Sequence, residues 1–193
     1  MYPEYVEVEG KQYKINTDFR VAIECGRVAQ DDSIEGLERA LAIIYLLFGD
    51  EGIDTPEHYE KLLELGKKYL LCGKEYDAKG NENPDMDFIQ DMPYIEASFM
   101  SDFHIDLDGK EMHWWKFSKL INGLSNSELG DCCILNRVRN LRNFDVSKIK
   151  DSKEKKRIIE AKKLVALKKE KKVTESQKER VRDFMEKLGI KEG

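Results

Sequence analysis

The chain has 193 residues, of which 40% are hydrophobic and 37% charged, and its formal net charge is −5. This length suits one compact core or two small ones joined by a linker, and a charged fraction above the roughly 25% of average proteins favours long, solvated helices. The longest apolar run, residues 40–48, is too short for a membrane span of about 20 residues, and the first residues lack an export signal, so we expect a cytoplasmic protein.

Residues 5–15 alternate apolar and polar side chains on either side of Gly10. Val6 and Val8 alternate with glutamates before the glycine, and Tyr13 and Ile15 alternate with polar residues after it, which predicts a β-hairpin. An isolated hairpin is marginal in water, so we expect its apolar side to lie on the helices that follow.

Two helices are predicted after the hairpin, the first over residues 19–29 and the second from a cap at Ser33. The second helix is apolar around most of its circumference, so it must be covered either by the protein's own core or by a partner helix. We therefore treat its main stripe as a candidate partner-binding surface, formed by Leu37, Leu41, Ile44 and Phe48.

The middle of the chain contains two further predicted helices. Thr55 followed by proline and glutamate is a good helix start, and this helix is expected to end at Gly73. Residues 76–92 are rich in turn-forming residues and predict an exposed, mobile connector. Pro93 opens the next helix, which ends near a turn at residues 106–109.

Residues 114–124 predict a helix that opens with two tryptophans. Its candidate core residues are spaced at helical intervals and are Trp114, Phe117, Leu120 and Leu124. Neighbouring residues on a helix point about 100° apart, so Trp115 is expected at the edge of the core or in an interface. Trp115 is therefore a candidate partner-binding residue.

The last part of the chain is predicted to be helical and strongly charged. One helix should run from Ser127 through Leu135 into an arginine-rich stretch. Two more should follow, one with a modest stripe at Ile158, Ala161, Leu164 and Val165, and one after Thr174, with a hinge at residues 168–172. The expected fold is a mainly α helical bundle with a short N-terminal β-hairpin, divided into a body (1–150) and a basic C-terminal helical extension (151–193).

No motif for catalysis, metal binding or a cofactor stands out. Asp106, Asp108 and Gly109 superficially resemble a calcium loop, but its first and last positions would be His104 and Trp115, so a β-turn is the better interpretation. The three histidines lack the spacing of zinc ligands, and the cysteines have no Cys-x-x-Cys spacing. We therefore expect reduced thiols, no cofactor and no enzyme.

The charge is distributed unevenly along the sequence. Residues 1–109 contain 10 Lys+Arg and 25 Asp+Glu, a sum of −15, whereas residues 110–193 contain 23 and 13, a sum of +10. Oppositely charged halves can attract each other within one molecule, pair between copies, or steer a partner. Arg137, Arg139 and Arg142, with the lysines after them, could also contact phosphates, but glutamates interrupt the basic run and nucleic acid is the less favoured partner.

Two stretches are specific enough to suggest a family. One opens the fifth predicted helix and the other enters the last part of the chain: Met112, His113, Trp114, Trp115, Lys116 and Phe117, and then Lys148, Ile149, Lys150 and Asp151. With the short β start leading into residues 18–20, and with residues 145–167, they resemble the bacteriophage family known as gene product fifteen. The resemblance covers the chain to about residue 172.

The resemblance implies a small protein of tailed phages and prophages that is encoded beside the tape measure gene. That gene position in turn implies that the protein is a tail assembly chaperone. Its implied partners are the long, helical tape measure protein and the major tail protein that forms the tube, with homo-oligomers as a further expectation. Two alternatives stay open: a structural component retained in the virion, and a nucleic-acid-binding adaptor that uses the basic half. The resemblance supplies no catalytic residues.

Overall fold

The computed structural model describes residues 1–74, 84–126 and 132–168. Within these ranges the chain forms one two-stranded hairpin, two short 3-10 turns (Pro56–His58 and Val146–Lys148) and seven α-helices. The strands are β1 (Tyr5–Val8) and β2 (Lys11–Lys14), and the helices are α1 (Phe19–Gln30), α2 (Gly36–Ile53), α3 (Tyr59–Leu70), α4 (Met92–Phe103), α5 (Trp114–Asn122), α6 (Ile134–Asn143) and α7 (Ser152–Val165). The prediction of a mainly α chain with an N-terminal hairpin is confirmed.

The hairpin turns over two residues with left-handed backbone, Glu9 (φ 50°) and Gly10 (φ 84°), as a tight antiparallel connection requires. Its apolar side faces the helices, as expected. Tyr13 is fully buried, and its ring meets that of Phe48 on α2 edge-on at 6.4 Å between centroids. The chain just after β2 also bonds to α2, because the Asn16 amide donates to the Leu47 carbonyl at 2.7 Å.

Three phenylalanine rings from distant parts of the sequence stack at the centre of the core. Phe117 on α5 lies between Phe19 on α1, 4.4 Å away, and Phe99 on α4, 5.2 Å away, measured between ring centroids. All three are almost completely buried. This stack joins the N-terminal helices to α4 and α5 in one hydrophobic core.

Ser33 does not cap α2, contrary to the sequence-based prediction. The Asp31 carboxylate accepts hydrogen bonds from both the amide and the hydroxyl of Ser33, which closes a local turn before the helix. The helix instead begins at Gly36, with Glu35 as its cap residue. Near its other end Gly49 interrupts the helical backbone at φ 64° and ψ −157°.

The described part of the connector between α3 and α4 is less exposed than the sequence predicted. Residues 75–83 lie outside the described ranges, but Met86 and Phe88 pack against the core and Asp91 is only 1% exposed. The carboxylate of Asp91 accepts a hydrogen bond from the Asp87 amide at 3.0 Å. A turn-rich composition predicted exposure to solvent here, whereas hydrogen bonds from Arg142 to the Asp85 carbonyl and the Asp91 carboxylate attach the segment to the rest of the protein.

The boundaries of α5 and α6 also differ from the prediction. α5 ends at Asn122, where the Gly123 amide donates to two carbonyls of the last turn, although Leu124 is still buried. Residues 127–131 lie outside the described ranges, and α6 begins only at Ile134 and extends through the arginines. Its cap is the thiol of Cys133, which accepts the Asn136 amide at 3.4 Å.

α7 packs on α6 with a narrower apolar face than the sequence suggested. Asp151 caps it by accepting the Glu154 amide at 2.7 Å. Ile158, Ala161 and Val165 are half-buried, but Leu164 is 87% exposed, so the predicted stripe is wrong at that position. The predicted last helix after Thr174, and the predicted hinge beyond residue 168, lie outside the described residues.

Candidate functional site

The two tryptophans attach the start of α5 to the end of α3. The indole N–H of Trp114 donates to the Leu70 carbonyl, and that of Trp115 donates to the Tyr69 carbonyl, each at 2.9 Å. Carbonyls in the last turn of a helix lack partners within the helix, so these bonds satisfy groups that need an external donor. His113 caps α5 through Nδ1, which accepts the Trp115 amide at 3.0 Å.

The two indoles differ in how deeply they are buried. Trp114 is 9% exposed and stacks near Phe117, whose ring centroid is 5.9 Å away, while Trp115 is half-buried. Trp115 stacks on Tyr69 and lies close to Gly73 (φ 76°), where the Cβ atom of any other residue would come within 3.3 Å of the indole. Only part of its ring is therefore open to a partner, and partner binding by Trp115 stays a prediction.

The other candidate core residues of α5 surround the same stack. Phe117 is 0% and Leu124 5% exposed, and Leu120 is partly buried against the core. Ile121, which follows Leu120, is 8% exposed and belongs to the same core. The structure thus brings the Trp114 motif together around Phe117, with Leu120 at the edge.

The predicted partner stripe on α2 divides into a buried half and an exposed half. Ile44 is 1% and Phe48 6% exposed, so both belong to the core and are not available to a partner in this arrangement. Leu37 is 71% exposed and Leu41 half-buried, because the first two turns of α2 extend beyond the core. Tyr45, which is 55% exposed, continues this surface. Leu37, Leu41 and Tyr45 are spaced four residues apart, and this spacing could have placed Tyr45 on the same helical face from the sequence alone. We call Leu37, Leu41 and Tyr45 the α2 surface.

Arg142 joins three separate segments of the chain. Its guanidinium makes two 2.7 Å hydrogen bonds to the Asp91 carboxylate, and it also donates to the carbonyls of Asp85 (2.8 Å) and Val165 (2.6 Å). The hydrogen bonds to Asp91 raise the pKa of the Arg142 guanidinium. Arg139 pairs with Asp85 at 3.3 Å. Two arginines considered for phosphate contacts are thus bound to acids of the N-terminal half.

An open groove lies between α1, residues 84–90 and the C-terminal end of α7. Its volume is about 970 Å³, and an edge of Trp114 forms part of its floor. At one end the side chain of Gln90 pairs with the backbone of Lys168, donating to its carbonyl at 3.0 Å and accepting its amide at 2.8 Å. This groove was not predicted, since no local sequence pattern shows that residues 84–90 and α7 form opposite walls.

The described residues contain no group of three or more His, Cys, Asp or Glu that could hold a metal ion. The Asp106 carboxylate accepts the Asp108 amide at 2.9 Å, which is the bond expected of a turn. All four cysteines are free thiols, and burial raises the pKa of the Cys25 thiol to about 12. None of the helices within the described ranges is long and apolar enough to cross a membrane.

Comparison with known proteins identifies the family of the chain. The family model described as Bacteriophage Gp15 protein matches residues 2–167, which include the tryptophan pair, Arg142 and nearly the whole groove. No curated protein and no solved structure shows significant similarity to the chain. The chain therefore belongs to the bacteriophage Gp15 protein family.

Proposed function

We propose that this phage protein is a tail assembly chaperone that binds the tape measure protein and brings major tail protein subunits to it in the cytoplasm of the host. Family membership supports a role in a bacteriophage. The observation that carries the finer proposal is the α2 surface, where Leu37 and Tyr45 are both more than half exposed. Apolar side chains grouped on one exposed helical face suit the binding of another amphipathic helix.

The charges around the α2 surface support a fixed orientation of the bound tape measure protein, which we call the client. Asp32, Glu35 and Glu38 flank Leu37, whereas α7 and its neighbours are rich in lysine. Oppositely charged regions on one chaperone favour one direction of a bound chain and raise the rate of encounter. A long helical client could thus be bound in a fixed direction by successive copies.

Coexpression with the neighbouring tape measure gene tests the proposal. We expect a soluble complex on gel filtration with the wild-type chain and a loss of complex with Leu37→Glu. A glutamate in the first turn of α2 is compatible with the helix dipole, so this variant should still fold. The matched control is Leu164→Glu, which changes an exposed leucine on another helix and should leave the complex intact. An insoluble tape measure protein without a complex would contradict the proposal.

The same surface could serve a component that remains in the tail, and mass spectrometry of purified virions separates the two roles. A chaperone should be missing from finished particles, whereas a structural component should be present in them. The nucleic-acid alternative is weakened by the internal pairing of Arg139 and Arg142. Filter binding at increasing salt tests it, because a phosphate-binding protein loses affinity steeply with ionic strength.

A further inference from the structure

We infer that the groove between α1 and α7 binds an acidic amphipathic helix of a partner protein. This inference rests on the proposed function, because it gives the chemistry of the segment that such a client would present. It also adds a second contact surface, separate from the α2 surface. Three features support it: the lining of the groove, the pairing of its charged groups and the net charge of residues 169–193 in the sequence.

Apolar side chains lie on both walls of the groove and on its floor, among the charged ones. Ile23 of α1 and Phe88 lie on one side, and Ile159 and Leu167 lie on the other. Ile89, at the rim, is 50% exposed, and Ile159 is 36% exposed. Gly26 leaves the α1 wall open, since no atom lies within 4 Å of the place that a side-chain carbon would occupy. A helix could therefore approach this wall closely and cover both isoleucines.

The charged groups of the groove leave an excess of positive charge along the α7 wall. Arg142 is neutralised by Asp91, and Arg27 by Glu24 and Asp31. In contrast, Lys162, Lys163 and Lys168 of this wall make no direct ion pair with any described residue. The Lys162 ammonium does donate a hydrogen bond to the Phe144 carbonyl at 2.6 Å, but a carbonyl does not cancel its charge.

The acids in the groove do not balance these lysines. Asp85 pairs with Arg139, which leaves the single carboxylate of Asp87 against three lysines. The Asp87 carboxylate also accepts hydrogen bonds from the amides of Ile89 and Gln90. The three lysines are spread from residue 162 to residue 168, so they fit several carboxylates along a helix better than one small anion.

The protein's own C-terminal residues are a poor match for this wall. Residues 169–193 contain 8 Lys+Arg and 6 Asp+Glu, a sum of +2, and would bring more positive charge to the lysines. An acidic segment from another protein has the complementary charge. An apolar face on that segment would cover the isoleucines, and burial of this apolar area would stabilise the complex.

A synthetic peptide tests the groove without the tape measure protein. The probe is a fluorescent helix of about 18 residues, long enough to be helical when bound, with leucines on one face and glutamates on the other, and its anisotropy is measured against the full chain. We expect binding that weakens with salt, and no binding of a peptide that has lysines in place of the glutamates. Lys163→Glu and Ile159→Ala should each weaken binding about tenfold or more. Two exposed α7 residues outside the groove give the matched controls, Lys156→Glu and Leu164→Ala, which should bind like wild type.

Any of the following results would overturn the inference. One is no binding of the acidic peptide, or equal binding by wild type and the groove variants. Another is binding that appears only in Phe184→Ser, a change on the apolar face of the helix predicted after Thr174, which would show that residues 169–193 occupy the groove. The third is a wild-type oligomer in sedimentation velocity that Lys163→Glu dissociates, which would assign the groove to contacts between copies. If the peptide fails while coexpression still yields a tape measure complex, the groove assignment falls and the chaperone function stands.

Discussion

Arg142 binds Asp91 with two hydrogen bonds of 2.7 Å at a site where the aspartate is 1% exposed. The pair joins α6 to the segment that leads into α4. Because α6 belongs to the basic part of the sequence and Asp91 to the acidic part, it is also where the two charged halves meet inside one molecule. Attraction between the acidic and basic halves, one of the possibilities that the charge distribution left open, thus occurs within one molecule at this pair.

Asp91→Ala should lower the free energy of unfolding by about 3–5 kcal/mol, because it leaves a guanidinium whose side chain is only 10% exposed without its counter-charge. The control is Arg139→Ala, whose ion pair with Asp85 is partly exposed and should contribute no more than about 1 kcal/mol. Urea unfolding measures both. Replacing both Asp91 and Arg142 by leucine should cost less than the sum of the single changes. A cost for Asp91→Ala as small as that for Arg139→Ala would contradict the role of this pair.

The tryptophans should contribute unequally to stability. Trp114→Ala should cost about 3–5 kcal/mol, because it opens a cavity beside Phe117 and removes the donor to the Leu70 carbonyl. Trp115→Ala should cost less, since its ring is only half-buried. Thermal melts followed by circular dichroism compare the two. Equal melting temperatures for Trp114→Ala and wild type would show that the wrong face of α5 has been assigned to the core.

Two buried tyrosines should respond in opposite ways to loss of the hydroxyl. The Tyr69 hydroxyl is buried with no hydrogen-bond partner among the described residues, so Tyr69→Phe should leave stability unchanged or raise it by about 1 kcal/mol. The Tyr13 hydroxyl lies 2.6 Å from Nδ1 of His58, so Tyr13→Phe should cost about 1–3 kcal/mol by leaving a buried group unpaired. Chemical denaturation measures the free energy of unfolding of both variants and of the wild type. A larger loss for Tyr69→Phe than for Tyr13→Phe would refute this assignment.

Alkaline pH should destabilise the protein through Cys25. Burial raises the pKa of this thiol from 9.0 to about 12, so between these values the unfolded chain has lost a proton that the folded chain keeps. The unfolded state then binds fewer protons, and the free energy of unfolding falls by about 1.4 kcal/mol per pH unit, while the full stability is present below about pH 9. Unfolding at about pH 8 and about pH 10 should show a larger loss in wild type than in Cys25→Ala. Identical losses in the two proteins would exclude Cys25 as the cause.

Local patterns predicted the parts of the fold that local chemistry determines. The alternation around Gly10 predicted the hairpin, and helical spacing predicted α1, α3, α4 and most of α5, because each pattern matches one repeating backbone geometry. The cap of α2 was missed because Asp31 competes for the groups of Ser33. The start of α6 was missed because a cysteine thiol, a weak acceptor, caps it.

Features that depend on distant contacts were not predictable from the sequence. One continuous stripe on α2 contains both the exposed Leu37 and the buried Phe48, since nothing local indicates where the core ends. The connector before α4 looked solvent-exposed because its aspartates are polar, yet Asp91 is buried by Arg142, 51 residues later. Predicting the groove would require the same knowledge of contacts between distant residues, because α1, residues 84–90 and α7 form it together. The tryptophan pair could be singled out, but its bonds to the end of α3 could not.

The short β-bridge between Asp18 and His113 cannot form until the ribosome has synthesised more than half of the chain. The Phe19 amide bonds to the Met112 carbonyl, and the Asp18 carboxylate accepts the Met112 amide, from a residue 94 positions later. At about 5–20 residues per second, the ribosome needs roughly 5–20 seconds to supply that partner. During this time the hairpin and α1 lack the ring of Phe117 that covers Phe19. A product truncated before residue 112 would keep this surface uncovered and should aggregate.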